Sequence, residues 1–382
     1  MSIALKEMKE RKAYLSETYT PFYTMSYAMH CFNLQNQLRK FYYEGKRLPS
    51  LRMHITNMAP SGFMKSYYGE NMGTGDYAIF KNTGIHIDQR QEMSTAGLIG
   101  TKHFADGVTV TTEGVAEKMK ESILVVDEFS GVIQSSKISY NSAMESQLLA
   151  LLDSGLIYKT LGSGEIAYNS QLTLWSGIQP GKMDLMGGIA RRTVFLLFMP
   201  TMSDSRHLVN AQYAAQNMPP DEGNMASIWT RVDEWHDKLK CVESLSFDES
   251  VREMYDKLGV YCFEVTLFNR MALAYHLSTH EPTPDIVVNV DDNNFIELAK
   301  KAKEWRDNII QGVPSLQLAK MIKNSGKYDD EKDTFTIKKN VLIKDAVMLT
   351  WNSGQVNDLL IEMMKNGQVK VNGNEITLLS ER

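Results

Sequence analysis

Only three of the 382 residues are cysteine, Cys31, Cys241 and Cys262, and no two of them stand at a paired spacing. That scarcity argues against a disulfide framework and against a cysteine zinc site; buried thiols are the expectation. Long hydrophobic runs are missing too. Segments such as "TVFLLFMP" at 193–200 fall far short of the roughly 20 apolar residues needed to cross a bilayer. The opening "MSIALKEMKERK" carries charge where a secretory signal has its apolar stretch, so a cytoplasmic protein with no membrane partner is expected. No repeat at a period of about 20–50 residues and no low-complexity tract is present, which argues against a repeat array. The chain also has no excess of basic residues. Its net charge of −5 weighs against nucleic-acid binding over the whole surface, while leaving room for a local basic patch.

What is present is a chain with 43% hydrophobic residues, enough for a sizeable core, whose texture changes along its length. Residues 1–48 are rich in Leu, Met, Tyr, Lys and Glu and read as a helical extension whose Phe32, Leu38 and Phe41 pack on the next region of the chain. From about 50 to 200, the short apolar runs "LRMHITNM", "ILVVDEF", "QLTLWSGI" and "TVFLLFM" alternate with helix-like stretches. Strands buried on both faces and separated by helices give an α/β sheet. Residues 225–312 read as helices, with Trp229, Val232 and Trp235 on one face. The last stretch ends in "QVKVNGNEITLLS", two strand-like runs around an Asn-Gly turn; helices followed by a hairpin suggest a winged helix.

The chemistry lies in the α/β region. "MAPSGFMKSYY", Met58 to Tyr68, contains Gly-x-x-Lys-Ser directly after a strand. In a phosphate-binding loop the backbone N–H groups cradle phosphates, a Lys reaches the β- and γ-phosphates, and a Ser or Thr hydroxyl binds Mg²⁺. Within Ala59-Pro60-Ser61-Gly62-Phe63-Met64-Lys65-Ser66, those needs are met by Gly62, Lys65 and Ser66, while Ala59 and Met64 stand where such loops prefer glycine. The plain alternative is a surface Lys-Ser after a strand.

About 60 residues on, "SILVVDEFSG" delivers Asp127 and Glu128 to the end of an apolar strand, leaving room for a crossover helix and another strand. In a P-loop ATPase one such carboxylate holds the Mg²⁺ shell and the next polarises the attacking water; otherwise the pair simply caps the following helix. "QLTLWSGIQP" then ends a strand at Gln179, an amide suited to sensing a γ-phosphate, and Arg191 and Arg192 precede the last apolar strand, where an arginine at a subunit edge can act in trans.

In this order the features resemble the AAA+ ATPases, and among them the MCM-like replicative helicases and their virus- and plasmid-encoded relatives, over roughly residues 50–280. "VVDEFSG" is similar to the family's Asp-Glu-Phe Walker B, and Pro-x-Gly-x-x-Lys-Ser is similar to its Gly-Asp-Pro-Gly-x-Ala-Lys-Ser loop, with Met64 bulkier than the Ala and Pro60 offset by one. The resemblance implies an AAA+ core at 49–202, a helical extension at 1–48, a helical lid at 203–312 and a winged helix at 313–382. It further implies ATP and Mg²⁺ as cofactors, Gln179 as sensor 1, Arg191 as the arginine finger, Arg270 in "FNRMALAYHLS" as sensor 2, and a homo-oligomer, expected to be a hexameric ring, on DNA.

"LIYKTLGSGEIAYNSQL" reads as a β-hairpin. It looks like the family's pre-sensor hairpin, with Lys159 beside the tip and Gly162, Ser163 and Gly164 on it as the DNA contact; an ordinary hairpin extending the sheet is the alternative. "QEMSTAGLIGTKHF" is a further ring-lining candidate with no assignment. His276 and His280 stand at i, i+4 without a third ligand, which favours packing or surface placement over zinc. The expected activity is an ATP-driven helicase or translocase. An AAA+ loader, initiator or remodeller that does not unwind, or a degenerate DNA-binding scaffold, stands beside it.

Overall fold

The computed structural model describes residues 2–36, 42–43, 46–47, 51–60, 63, 65–105, 108–136, 142–161, 164–179, 188–200, 202–217, 221–310, 313–348 and 352–379. At its centre is a five-stranded parallel sheet made of β1 (His54–Met58), β2 (Ile87–Glu92), β3 (Ile123–Glu128), β4 (Thr173–Ile178) and β5 (Thr193–Leu197). The spatial order is β5-β1-β4-β3-β2, and every neighbouring pair is parallel. The chain therefore leaves β1 for the far edge and returns strand by strand, which inserts β4 between β1 and β3. Helices flank the sheet, so the fold is α/β.

The strand sequences account for this layout. β1, β4 and β5 are buried along their whole length, as parallel strands covered on both faces must be. β2, "IDQRQE", is the polar edge strand, and its charges discourage pairing with another sheet. In β3 the first four residues are buried, and Asp127 and Glu128 emerge half-buried at the carboxyl end.

Helices α1 (Ser2–Glu10) and α2 (Ser16–Gln35) are integral to this body. α2 is buried nearly all round, which a helix tolerates only if its polar side chains find partners. Ser26 does so: its hydroxyl donates to the Met53 carbonyl at 2.5 Å and accepts from the Trp175 indole at 2.8 Å. Phe32 packs as expected; Leu38 and Phe41 lie outside the described residues. One hydrophobic core runs from Ala4 to Ile309, so the expected boundaries at 48 and 202 are not breaks in packing. The 203–312 region also holds more than helices, since Ser244–Phe247 and Asp285–Val288 form a two-stranded parallel pair.

A second core, Leu318 to Leu378, belongs to a C-terminal unit. It has helices Val313–Ser325, Lys339–Met348 and Ser353–Lys365 and a four-stranded antiparallel sheet ending in the hairpin Val369–Asn372/Glu375–Leu378. No helix among the described residues is long and apolar enough to cross a membrane.

Candidate functional site

All five strands of a parallel sheet point the same way, so their carboxyl ends share one edge, and in open α/β sheets ligands bind outside that edge. The loop after β1 lies there. Ala59 and Pro60 continue β1 as buried backbone, with the Ala59 amide donating to the Ile178 carbonyl at 3.1 Å. Ser61, Gly62 and Met64 lie outside the described residues. Phe63 packs at a tilt against Phe198, with ring centroids 6.2 Å apart, and touches both hydrophobic cores. Ser66 precedes a short helical turn, Tyr67–Gly69, that passes into a π-helical turn, Glu70–Thr74. Gly69 and Gly73 let this turn lie directly on the sheet: a Cβ at Gly69 would meet Val125 at 2.8 Å, and one at Gly73 would meet Ile87 at 2.9 Å.

Lys65 and Glu128, 63 residues apart, meet here as a half-buried ion pair, Nζ to Oε2 3.0 Å. Asp127, beside it, accepts from the Gln89 amide at 2.8 Å, and Gln89 in turn accepts from the Thr74 hydroxyl at 2.9 Å. The other Asp127 oxygen, Oδ1, is buried without a hydrogen-bond partner among the described residues. A buried carboxylate oxygen lacking a donor is costly, and it marks where a donor or cation would be favoured. Glu70 faces the same place; burial first, and the Asp127 charge second, raise its carboxyl pKa above the ordinary value. Gly177 of β4 closes the floor, since a Cβ there would stand 2.5 Å from the Asp127 carbonyl and 3.2 Å from Lys65 Cβ. Gln179, half-buried, follows β4 between the loop and the carboxylates. The edge thus gathers Lys65, Ser66, Asp127, Glu128 and Gln179 from three adjacent strands.

Gln89 was not foreseen from the sequence. It lies in a polar strand with no motif, and only the β2–β3 register brings it to Asp127. The same holds for Glu70.

The three arginines lie at the opposite, amino-terminal edge. Arg191 ends the 3₁₀ turn Gly188–Arg191 just before β5 and is exposed. Arg192 donates to the Gly188 carbonyl at 2.8 Å and pairs with Asp153 at 3.3 Å. Arg270 is 2% exposed and pairs with the other Asp153 oxygen at 3.2 Å. A sensor role for Arg270 at its own chain's loop is therefore corrected: its buried guanidinium is held on Asp153, beneath the sheet. Arg192 is held the same way. Arg52, fully buried just ahead of β1, completes the cluster by donating to the Leu151, Asp153, Ser170 and Leu172 carbonyls; burial lowers its pKa to about 9.

The expected hairpin exists, as Leu156–Leu161 paired with Gly164–Asn169. Lys159 departs from expectation. Strand alternation turns it inward with Ile157, to 8% exposure, and burial lowers its pKa. Its assignment as a nucleic-acid contact is corrected accordingly. Gly162 and Ser163 lie outside the described residues, and Gly164 is exposed. The unassigned upstream stretch forms a second hairpin, Gly100–Ala105 with Val108–Glu113, beside the first. Its Lys102 donates to the Glu165 carbonyl, and Tyr168 donates to the Ile99 carbonyl at 2.9 Å. His276 and His280 stack on each other at 4.4 Å, and no group of three or more His, Cys, Asp or Glu among the described residues is arranged to hold a metal. In sequence, the chain matches no known family model and no curated protein.

Proposed function

We propose that this chain is an AAA+ ATPase similar to the MCM-like helicases, with Lys65, Ser66, Asp127, Glu128 and Gln179 as its nucleotide site. The observation that carries this reading is the meeting of Lys65 with Glu128 at 3.0 Å, next to Asp127, at the carboxyl edge of a parallel sheet. The residues suit ATP and Mg²⁺. Lys65 supplies the cation a phosphate chain needs, and Asp127 Oδ1, without a hydrogen-bond partner among the described residues, could accept from the hydration shell of a cation. Mg²⁺ is usually held by one or two carboxylates together with substrate phosphates, so a preformed cluster is not required. When bound, Mg²⁺ and ATP supply the electrophilic phosphoryl group and neutralise its charge.

The chain's own residues then divide the work. With nucleotide bound, Lys65 would exchange Glu128 for phosphate, Ser66 and Asp127 would hold the metal, Gln179 would orient a water, and Glu128, once released, could accept that water's proton. Arg191 sits at the amino edge, exposed, and cannot reach Lys65 of its own chain across the length of a strand. In this reading it serves the neighbouring protomer, which requires a homo-oligomer and favours a hexameric ring. The helices after β5 act as the lid, and the C-terminal unit is a winged helix. The paired hairpins face DNA in the channel. Burial of Lys159 favours a second reading, a loader, initiator or remodeller that holds DNA without unwinding it.

The test is ATP binding and turnover, with and without single-stranded DNA, together with strand displacement on a forked duplex. Lys65→Ala should weaken ATP binding. Wild-type turnover persisting in both Lys65→Ala and Glu128→Gln would rule the site out, and DNA-stimulated turnover without strand displacement would select the second reading.

A further inference from the structure

Between helices Glu249–Leu258 and Val265–Thr279 the chain runs through Val260-Tyr261-Cys262-Phe263-Glu264. Tyr261 and Phe263 are 58% and 41% exposed, yet their rings stack with centroids 5.4 Å apart and planes within 7°. Each ring also carries a cation: the Arg191 guanidinium carbon lies 5.2 Å from the Phe263 centroid, and Lys303 Nζ lies 4.8 Å from the Tyr261 centroid.

The loop has a buried anchor. Glu264, fully buried, accepts from Arg306 Nε at 2.5 Å, lies 3.6 Å from Lys303 Nζ, and accepts the Tyr261 amide at 3.0 Å. Arg306 donates in addition to the carbonyl of Ala190, the residue before Arg191. Arg191 is thereby fixed twice: its backbone through Ala190 to Arg306, and its guanidinium through Phe263. Its neighbour Arg192 is held by a carboxylate, but among the described residues Arg191 has no carboxylate partner. A ring face attracts a guanidinium without giving it an anion that must later be displaced.

We propose that Phe263, backed by Tyr261 and the Glu264–Arg306 pair, is a positioning residue for Arg191, holding its guanidinium out at the protomer surface for the nucleotide of the adjacent copy. This inference rests on the ATPase reading above. It also links the helix Asn293–Ile310, which carries Lys303 and Arg306, to the arginine through the Ala190 carbonyl and the Tyr261–Phe263 stack.

The experiment is steady-state ATPase of the assembled protein for Arg191→Ala, Phe263→Leu, Phe263→Trp and the Phe263→Leu/Arg191→Ala double variant, with assembly checked by sedimentation. Phe263→Leu should lower kcat about 2- to 5-fold, the scale of an exposed cation–π contact, with KM for ATP unchanged. Phe263→Trp should restore kcat, and Phe263→Leu should have no further effect once Arg191 is gone. The inference is overturned if Phe263→Leu matches the wild type while Arg191→Ala lowers turnover. It is equally overturned if the Phe263→Leu loss persists undiminished in the Arg191→Ala background, since that loss would be structural. If Arg191→Ala leaves turnover unchanged, the shared-site reading itself fails.

Discussion

At the carboxyl edge of the sheet, Lys65 and Glu128 form one half-buried ion pair beside a carboxylate oxygen with no donor among the described residues, whereas at the amino edge Arg192 and Arg270 converge on Asp153 while Arg52 saturates nearby carbonyls. Both edges hold cations and carboxylates on loops next to strand ends. They differ in whether a charge has somewhere else to go. The Lys65–Glu128 pair keeps some access to solvent and Lys65 bonds a single carboxylate, so a phosphate can take that carboxylate's place. A buried guanidinium bonded to backbone carbonyls has no alternative, and removing it leaves those acceptors unpaired. The buried arginines of the amino edge are tied into the fold, whereas the carboxyl-edge pair can change partners.

The largest effect should come from breaking the amino edge. Arg52→Met would strand the carbonyls of Leu151, Ser170 and Leu172 in the core and should destabilise the protein by about 3–5 kcal/mol, read from urea unfolding. An unfolding midpoint equal to the wild type would show that those bonds are replaceable. At the carboxyl edge the same kind of charge removal should leave folding nearly unchanged and stop turnover instead. Glu128→Gln should keep ATP binding and lower kcat about 10²- to 10⁴-fold, as loss of a general base does. A large stability loss in that variant would erase the contrast between the edges.

Acid should act on the amino side. His30 is buried against Thr173 and the Glu121 carbonyl, and His54 against the Leu152 carbonyl; burial lowers the pKa of His30 from 6.5 to about 3 and that of His54 well below 6.5. The unfolded chain takes up these protons first, so their contribution is fully present above pH 6.5 and is lost as pH falls from there toward 3. Urea midpoints across that window measure it, and His30→Gln should flatten the decline. The smallest effect separates the hairpins. If Lys102 meets DNA phosphate, Lys102→Ala lowers the salt slope of binding by about one unit, while Lys159→Met, changing a buried side chain, leaves the slope alone. A slope change in Lys159→Met alone would return the contact to Lys159.

Much of the sheet was legible because parallel strands covered on both faces must be apolar throughout. The runs at His54–Met58, Ile123–Glu128, Thr173–Ile178 and Thr193–Leu197 announced themselves in this way. β2 did not, since an edge strand reads as polar. α2 read as a lead-in because its burial depends on partners far along the chain, such as Trp175 and Thr173.

By itself the sequence determined that Lys65 follows a strand and that Asp127 and Glu128 end one, because strand propensity and the abrupt change from apolar to polar are local. That these groups meet was decided by tertiary structure alone: the insertion of β4 between β1 and β3 sets which strand ends are neighbours. The fate of each arginine and lysine was decided there as well. Arg191 rests exposed on a ring, Arg192 and Arg270 are tied to one aspartate, and Lys159 is turned inward by strand alternation. Charge is written in the sequence, but its availability depends on burial and partners, which are supplied by residues tens to hundreds of positions away.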